Sequence, residues 1–280
     1  MNMNMNKNIK NKFTNLKICS INCRSLSKPS NVSTSQSFSR YLASPQLHLD
    51  ILCLQETHAT SAIIQERLDI QLHAKQSIWT HHCGIVSRNS SINIESLYVS
   101  PDQRTIVCQV SHNNSLFPTF TIMNIYAPAS YKQRYTFYAQ LLQLEYFQSM
   151  LHNMSFPHIL HRAYPDIIVG DFNYNFNHSP SQSMINPSMQ ASDFLTSTPS
   201  SIPLSSATTH DTDVESIMPQ LDPVPSSLNR SQWMWHALML HYYQEQTHRL
   251  QTEPAFPTFR RDGTLSTIDY MFVSPSLAPF

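Results

Sequence analysis

"DIIVGDFNYN", residues Asp166–Asn175, joins an apolar run directly to glycine, aspartate and asparagine. A continuous run of β-branched apolar residues is typical of a strand that is buried on both faces. The run ends at Gly170, so Asp171 and Asn173 follow the end of a buried strand. A turn would explain the pair, because Asp and Asn are common turn residues. A functional site is the other interpretation, and the remaining strand ends favour it.

Three more apolar runs end at a polar or phenolic side chain. These runs are LKICSIN, LDILCLQE and TFTIMNIY, and they end at Asn22, Glu56 and Tyr126. Singly, such residues fit a turn, a solvated loop or a rim position. However, strand ends in one sheet layer converge, so these side chains are expected to lie together. The set includes a carboxylate that can hold Mg²⁺, an amide that can coordinate the ion or fix a ligand, and a phenol that can donate to a phosphate oxygen. The residues therefore indicate a metal-dependent phosphoesterase in which Asp171 orients or deprotonates a water.

Composition excludes several enzyme classes. The chain has 280 residues, 41% of them hydrophobic, which suffices for one sizeable core. Lys+Arg and Asp+Glu are both 18, so no net basic field indicates nucleic acid. The three glycines, Gly84, Gly170 and Gly263, are too scattered for a P-loop, a Rossmann fingerprint or a nucleophile elbow. So few glycines also predict strained turns.

The cysteines and the N-terminus bear on the compartment. The five cysteines are odd in number, mostly lie in apolar runs and include no CxxC pair, so we expect reduced core residues of an intracellular protein. The start, MNMNMNKNIKNKF, lacks an apolar core and predicts neither a signal peptide nor a membrane span. Residues 1–15 are expected to form a disordered tail.

The periodicity predicts an α/β protein with mixed sheets. Helices are expected at FSRYLAS, over Tyr131–Leu151, and at SQWMWHALMLHYY, where Ser231 would be the cap. Further strands are expected at CGIVSRN, ESLYVS, RTIVCQVSH and STIDYMFVS. From about Asn175 to Arg230 the chain is rich in Ser, Pro, Thr and Asn, which predicts a loop or disordered insertion at about 175–230.

Six motifs carry a resemblance to a known family. SINCRSL, LQETH, CGIVSRN, NIYAP, GDFN and STIDYMFVSPSL occur in the order and rough spacing of the endonuclease/exonuclease/phosphatase superfamily, which has the deoxyribonuclease I-like fold. INCRSL, NIYAP and FRRDGTLSTIDYMFVSPSL look most like the endonuclease domain of non-LTR (LINE-type) retrotransposons. The resemblance covers residues 16–280 apart from the insertion. It implies a four-layer sandwich of two mixed β-sheets flanked by helices, with an active site at one end.

The resemblance implies a role for each strand-end residue. Glu56 and Asn22 would form the metal site, with Glu56 the principal ligand of Mg²⁺ and with Mn²⁺ as an alternative. Tyr126 would contact the scissile phosphate. Asp171 would activate the attacking water, and Asn173 would position that water or bind a phosphate oxygen. The GDFN motif is thus interpreted as a site.

The C-terminal region departs from the family pattern. Asp269, in STIDYMF, would be the carboxylate that orients a histidine, but the Ser-Asp-His motif and last strand of the family are expected to be missing from this chain. Losing a positioned acid–base group typically costs about 10² to 10⁴ in rate, so weak or absent activity is expected. Arg24, Arg260 and Arg261 lie near motif positions and are candidate contacts to the substrate backbone.

Three functions remain open at this point. The first is a Mg²⁺-dependent DNA endonuclease of retroelement type, acting with a reverse transcriptase domain of the parent element and working in the nucleus. The second is a phosphatase of the same fold, since fold alone does not determine function. The third is an inactive, truncated remnant or binding module. The first carries the most motifs, and in it no membrane is involved.

Overall fold

The computed structural model describes residues 16–26, 32–148, 150, 165–174, 230–246, 259–261 and 264–277. The predicted tail at 1–15 lies outside the described residues. So does nearly all of the predicted insertion, because 175–229 are not described. The interpretation of both segments, and of the domain bounds drawn from them, stays a prediction.

The first sheet has four strands in the order β1-β2-β4-β3. These strands are β1 (Ile18–Asn22), β2 (Ile51–Gln55), β3 (Gln76–Trp79) and β4 (Cys83–Ser87). β1 and β2 are parallel, whereas β4 is antiparallel to both β2 and β3, so the sheet is mixed. Two helices, α1 (Val32–Ala43) and α2 (Ala62–Leu72), accompany this sheet, and a short 3-10 helix (Pro45–Leu47) follows α1.

The second sheet has six strands in the order β5-β6-β7-β8-β12-β9. These strands are β5 (Ile92–Val99), β6 (Thr105–His112), β7 (Phe120–Tyr126), β8 (Ile167–Asp171), β9 (Gln244–Glu245) and β12 (Asp269–Val273). Among the neighbouring strand pairs that the structure describes in this sheet, β7 and β8 are parallel and the others are antiparallel, so this sheet is mixed as well. β10 (Phe259–Arg261) and β11 (Thr264–Ser266) form a separate hairpin. The helices of this side are α3 (Tyr131–Leu142) and α4 (Arg230–Tyr242), which pack against each other.

Alternation within the apolar strands builds the layers. In β2, Ile51 and Cys53 lie in the core between the sheets, whereas Leu52 and Leu54 lie in the core under α1 and α2. In β8, Val169 lies between the sheets. Its neighbour Ile168 belongs to the core under α3 and α4. Because both faces of these strands are buried, their sequences are continuous apolar runs. The predicted sandwich of two mixed sheets with flanking helices is confirmed.

Some elements differ from the prediction. α2 and β3 were not expected, and α2 lacks an apolar stripe because Ile63 and Ile70 are 80% and 70% exposed. The helix predicted over 131–151 is interrupted, since α3 ends at Leu142 and residues 145–148 are helical again. Ser231 lies inside α4 rather than before it, so the predicted cap is wrong.

Two general expectations concern cysteines and membranes. All five cysteines are free, and four of them are buried, as expected for reduced core residues. Among the described helices, none combines the length and apolar character needed to cross a membrane.

Candidate active site

Four predicted residues are in direct contact at one end of the sandwich. Asn22 Nδ2 donates hydrogen bonds to Glu56 Oε1 at 3.0 Å and to Asp171 Oδ2 at 2.8 Å. Tyr126 OH donates to the same Glu56 Oε1 at 3.2 Å. Asn22 ends β1 and Glu56 directly follows β2 of the four-stranded sheet, while Tyr126 and Asp171 end β7 and β8 of the other sheet. The strand ends of both sheets therefore form one cluster.

Asn22 positions the two carboxylates. Its Nδ2 group donates to both of them, and its Oδ1 accepts a hydrogen bond from the backbone N of Arg24 at 2.9 Å. The amide orientation follows from this network, because only the nitrogen can donate. Its carbonyl oxygen is thus engaged by the backbone, and the role of Asn22 as a metal ligand stays a prediction.

The GDFN motif begins with a glycine that the packing requires. Gly170 has φ 140°, and a Cβ atom there would lie 1.9 Å from the carbonyl oxygen of Ile125 in β7. No other residue allows this approach of β8 to β7. Asp171 also forms the turn that was the alternative interpretation of this motif, because its Oδ1 accepts from the backbone N of Asn173 at 2.9 Å. Asn173 Nδ2 donates to the carbonyl of Ala127 at 2.6 Å, which ties the turn to the end of β7.

Backbone strain is concentrated around the cluster. Five of the nine described non-glycine residues with positive φ lie in its loops: Arg24 (46°), Ser25 (76°), Glu56 (52°), His58 (53°) and Asn173 (52°). Left-handed conformations cost energy for residues with a Cβ atom, and they are common where a site needs a specific side-chain direction. The strained turns expected from the low glycine content are confirmed.

Burial sets the protonation of the cluster. Burial, with added repulsion from Asp269 and Glu56, raises the pKa of Asp171 to about 7. The hydrogen bonds from Asn173 and Asn22 act in the opposite direction and lower this pKa, but they do not offset the increase. Burial, and then the neighbouring Glu56 carboxylate, raises the pKa of Tyr126 to about 12. The phenol therefore keeps its proton at neutral pH and acts as a hydrogen-bond donor.

The remaining predicted residues take less central positions. Asp269 begins β12 and pairs in register with Asp171, so its carboxylate lies close to the cluster. Arg24 is exposed and contacts the cluster through its backbone N. Arg260 and Arg261 lie in β10, and their side chains are outside the described part. The substrate-binding roles of the three arginines stay predictions.

Sequence reasoning missed several residues beside the cluster. The Arg104 guanidinium lies 4.9 Å from the centroid of the Tyr126 ring, and the His82 ring lies 5.6 Å from the same ring. Arg104 and His82 lie in the connections between strands, where no pattern distinguishes them from surface residues. The buried polar pair Gln55 and Asn124 was also missed, although an amide inside an apolar run is a usable signal.

The oxygen atoms of the cluster suit a hard cation. Among the described residues, no group of three or more His, Cys, Asp or Glu side chains could hold a metal ion. Mg²⁺ usually binds through one or two carboxylates together with water and substrate phosphates. Glu56 is half-buried, its Oε2 has no hydrogen bond within the described part of the chain, and Asp171 lies across Asn22 from it. The residues present therefore fit a partly hydrated divalent cation.

Solved structures with a similar shape include three proteins of low sequence identity. A humanized D. rerio TDP2 with 14 mutations is 13% identical, covers 92% of this chain and 83% of its own, and has a TM-score of 0.49. The endonuclease domain of TRAS1, a telomere-specific non-LTR retrotransposon, is 11% identical, covers 95% of this chain and 88% of its own, and has a TM-score of 0.48. The human nocturnin catalytic domain with bound sulfate is 14% identical, covers 93% of this chain and 82% of its own, and has a TM-score of 0.44.

Sequence comparison assigns the family. No curated protein matches the chain. Residues 19–280 match the sequence profile of the Endonuclease/Exonuclease/phosphatase family, which confirms the resemblance drawn from the motifs. The match spans both sheets and every residue of the cluster. The chain therefore belongs to the Endonuclease/Exonuclease/phosphatase family.

Proposed function

We propose that this chain is a Mg²⁺-dependent DNA endonuclease of retroelement type, which hydrolyses phosphodiester bonds. The observation that carries the proposal is the bridge from Asn22 to Glu56 and Asp171, with Tyr126 on Glu56. It combines two carboxylates with a protonated phenol, and phosphodiester hydrolysis requires such groups for water activation and for phosphate binding. Family membership supports phosphoester hydrolysis as the general reaction.

Each residue of the cluster has a role in this reaction. Asp171 orients the attacking water and accepts its proton as the water oxygen bonds to phosphorus and the bond to the leaving oxygen breaks. Asn173, held by its bond to the Ala127 carbonyl, positions the water or a phosphate oxygen. Tyr126, whose hydroxyl proton turns from Glu56 Oε1 to the substrate, donates a hydrogen bond to a phosphate oxygen.

The metal has one role in the scheme. Glu56, with Asn22 beside it, would hold Mg²⁺, which neutralises charge that develops on the phosphate oxygens. Asn22 keeps the Glu56 and Asp171 carboxylates apart at a defined separation, because it donates to both. Asp269, in register with Asp171, adds negative charge to the same end of the sheet.

The choice of DNA and of a retroelement origin comes from the motifs. INCRSL, NIYAP and FRRDGTLSTIDYMFVSPSL resemble the endonuclease domain of non-LTR retrotransposons. A reverse transcriptase domain in the parent element and a nuclear location are further parts of this proposal. A neutral overall charge is compatible with DNA, because local cations such as Arg104 suffice for phosphate contacts.

Nicking of supercoiled plasmid tests the proposal. Any conversion of the plasmid to the open circle by the purified chain should need Mg²⁺ and stop in EDTA, at a rate that stays low if Asp269 has no histidine to orient, and Glu56→Gln should reduce that rate at least about 100-fold. Glu66→Gln is the matched control, because Glu66 is an exposed glutamate of α2. Turnover of a soluble phosphomonoester without nicking would favour a phosphatase. Nicking that survives in EDTA or in Glu56→Gln would contradict the assignment of the site.

A further inference from the structure

A polar cavity of about 630 Å³ lies next to the catalytic cluster. Its walls come from the β3–β4 turn, the β5–β6 turn and the residues before and within α2, including Trp79, His81, His82, Gln65 and Gln103. Small-molecule sites typically enclose about 300–1,000 Å³. The cavity is thus large enough for a nucleobase with its sugar.

The cavity and the catalytic cluster share a wall. His82 lines the cavity, and its ring contacts the ring of Tyr126 at a centroid distance of 5.6 Å. Tyr126 in turn donates to Glu56. The backbone N of Thr57, next to Glu56, donates to the His82 carbonyl at 3.3 Å. A group in the cavity therefore lies one side chain away from the proposed position of the phosphate.

Three residues of the cavity walls, Trp79, His81 and His82, carry flat rings. The His81 ring lies 5.4 Å from that of His58 and 4.4 Å from that of His82. Burial, followed by the charge of Arg104 and the neighbouring imidazoles, lowers the pKa of His82 to about 4, so this ring is uncharged at neutral pH. Aromatic and imidazole faces stack on nucleobases, and amide groups such as that of Gln103 can bond to base edges.

Hydrogen bonds hold the two turns in place. Thr80 Oγ1 lies 2.8 Å from the carbonyl of Gln103, to which it donates, and it accepts from the backbone N of Cys83 at 2.8 Å. Gln103 Oε1 accepts from the backbone N of His81 at 2.9 Å. Gln103 itself has φ 59°, a strained conformation that these bonds maintain. These hydrogen bonds therefore make the cavity preformed, because they do not depend on a ligand.

Arg104 supplies a cation beside the catalytic cluster, and it directly follows Gln103 of the cavity wall. Its guanidinium stacks on the Tyr126 ring at 4.9 Å and makes a long bond of 3.4 Å to the Tyr126 carbonyl. Within the described residues this guanidinium forms no ion pair with a carboxylate. An arginine of this kind is suited to a phosphate group, which it binds through a fork of donors.

We propose that this cavity binds the nucleobase of a nucleotide that adjoins the scissile phosphate, with the His81 ring stacking on the base and Arg104 contacting the connecting phosphate. The inference rests on the proposed function in that it assigns part of the substrate to the same site. The feature of the DNA strand that the protein would recognise is one base at a fixed position relative to the cleaved bond.

Binding of oligonucleotides in EDTA tests this subsite without any cleavage. A series of single-stranded oligonucleotides is made in which one abasic residue occupies a different position in each. Each oligonucleotide is titrated with the full chain, and binding is measured by fluorescence anisotropy. Removal of the base at one position should weaken binding about tenfold. His81→Ala should abolish that position dependence, and His81→Phe should restore it because a flat ring is retained. His241→Ala, at an exposed histidine of α4, is the matched control and should change nothing.

The possible outcomes separate the two proposals. Equal binding of all abasic oligonucleotides, or a position dependence that persists in His81→Ala, would overturn the subsite. Failure to bind any oligonucleotide at about 1 mM, above the usual range for non-specific binding, would overturn it too. A position dependence that follows His81 in a chain that never nicks plasmid would support the subsite and reject the hydrolytic function.

Discussion

Gln55 Nε2 donates a 2.7 Å hydrogen bond to Asn124 Oδ1 across the interface between the two sheets. Both side chains are completely buried. Asn124 Nδ2 also donates to two backbone carbonyls of the four-stranded sheet, each at 3.0 Å. Gln55 directly precedes Glu56, and Asn124 lies two residues before Tyr126. This network therefore sets the position of β2 relative to β7 where the catalytic cluster forms.

Asn124→Leu should destabilise the chain by about 3 kcal/mol, because it removes three buried hydrogen bonds, one from Gln55 and two to the carbonyls of Leu54 and Gly84. Urea unfolding followed by circular dichroism measures the change. Asn93→Leu is the matched control, since Asn93 bonds to Asn113 in an exposed position and should cost less than about 1 kcal/mol. Equal losses in the two variants would mean that the network does not join the sheets.

Gly170→Ala should destabilise the chain by more than about 3 kcal/mol. The new Cβ atom would meet the backbone of Ile125, which cannot move without separating β7 from β8. Gly84→Ala provides the comparison, because there the Cβ atom would meet the ring of Trp79, a half-buried side chain. The ring can shift at the cost of its 2.8 Å hydrogen bond to Asp69, which is a smaller loss than separating two strands, so thermal unfolding should show the smaller loss for Gly84→Ala. The reverse order would contradict the close approach at Gly170.

Ser25→Gly should stabilise the chain by about 1 kcal/mol. Ser25 has φ 76°, and its hydroxyl is buried without a hydrogen-bond partner in the described part of the chain. Glycine removes both penalties, which exceed the entropy that it adds to the unfolded state. At Ser130 φ is −67° and the side chain makes no cap hydrogen bond, so Ser130→Gly should lower the stability slightly. Guanidinium unfolding of both variants checks the prediction, and a loss in Ser25→Gly would refute it.

Asp171 should make the metal-free chain less stable as the pH rises from about 4 to about 7. Its pKa is about 7 in the folded chain against an ordinary value of 3.8, so between these values the folded state binds more protons than the unfolded state. The resulting cost above pH 7 is on the order of 2–4 kcal/mol.

Asp171→Asn should remove this decline and raise the stability at pH 8, although one hydrogen bond with Asn22 is lost at a cost of about 1 kcal/mol. Unfolding in EDTA at a series of pH values measures the effect. Asp102→Asn is the control at an exposed position and should leave the decline in place. An unchanged slope in Asp171→Asn would show that another group titrates.

Much of the fold could be predicted from local pattern. Apolar runs that are buried on both faces, such as β2 and β8, are evident from the sequence because every residue in them is apolar or small except the last, Gln55 and Asp171. α2 could not be predicted, because only Leu68 and Leu72 are buried in it and two isoleucines are exposed. The interruption of the helix after Leu142 was equally invisible, because the apolar stripe continues to Phe147 across the turn.

The sequence by itself determined which side chains end the strands, because the change from apolar to polar residues at Asn22, Glu56 and Asp171 is a local signal. Only the tertiary structure decided that Asn22 and Asp171, 149 positions apart, share a hydrogen bond. It likewise decided that Arg104 and His82 flank Tyr126. The reason is that these contacts depend on how one sheet lies on the other. Buried amides and a close backbone approach set that alignment, and neither leaves a periodic pattern along the chain.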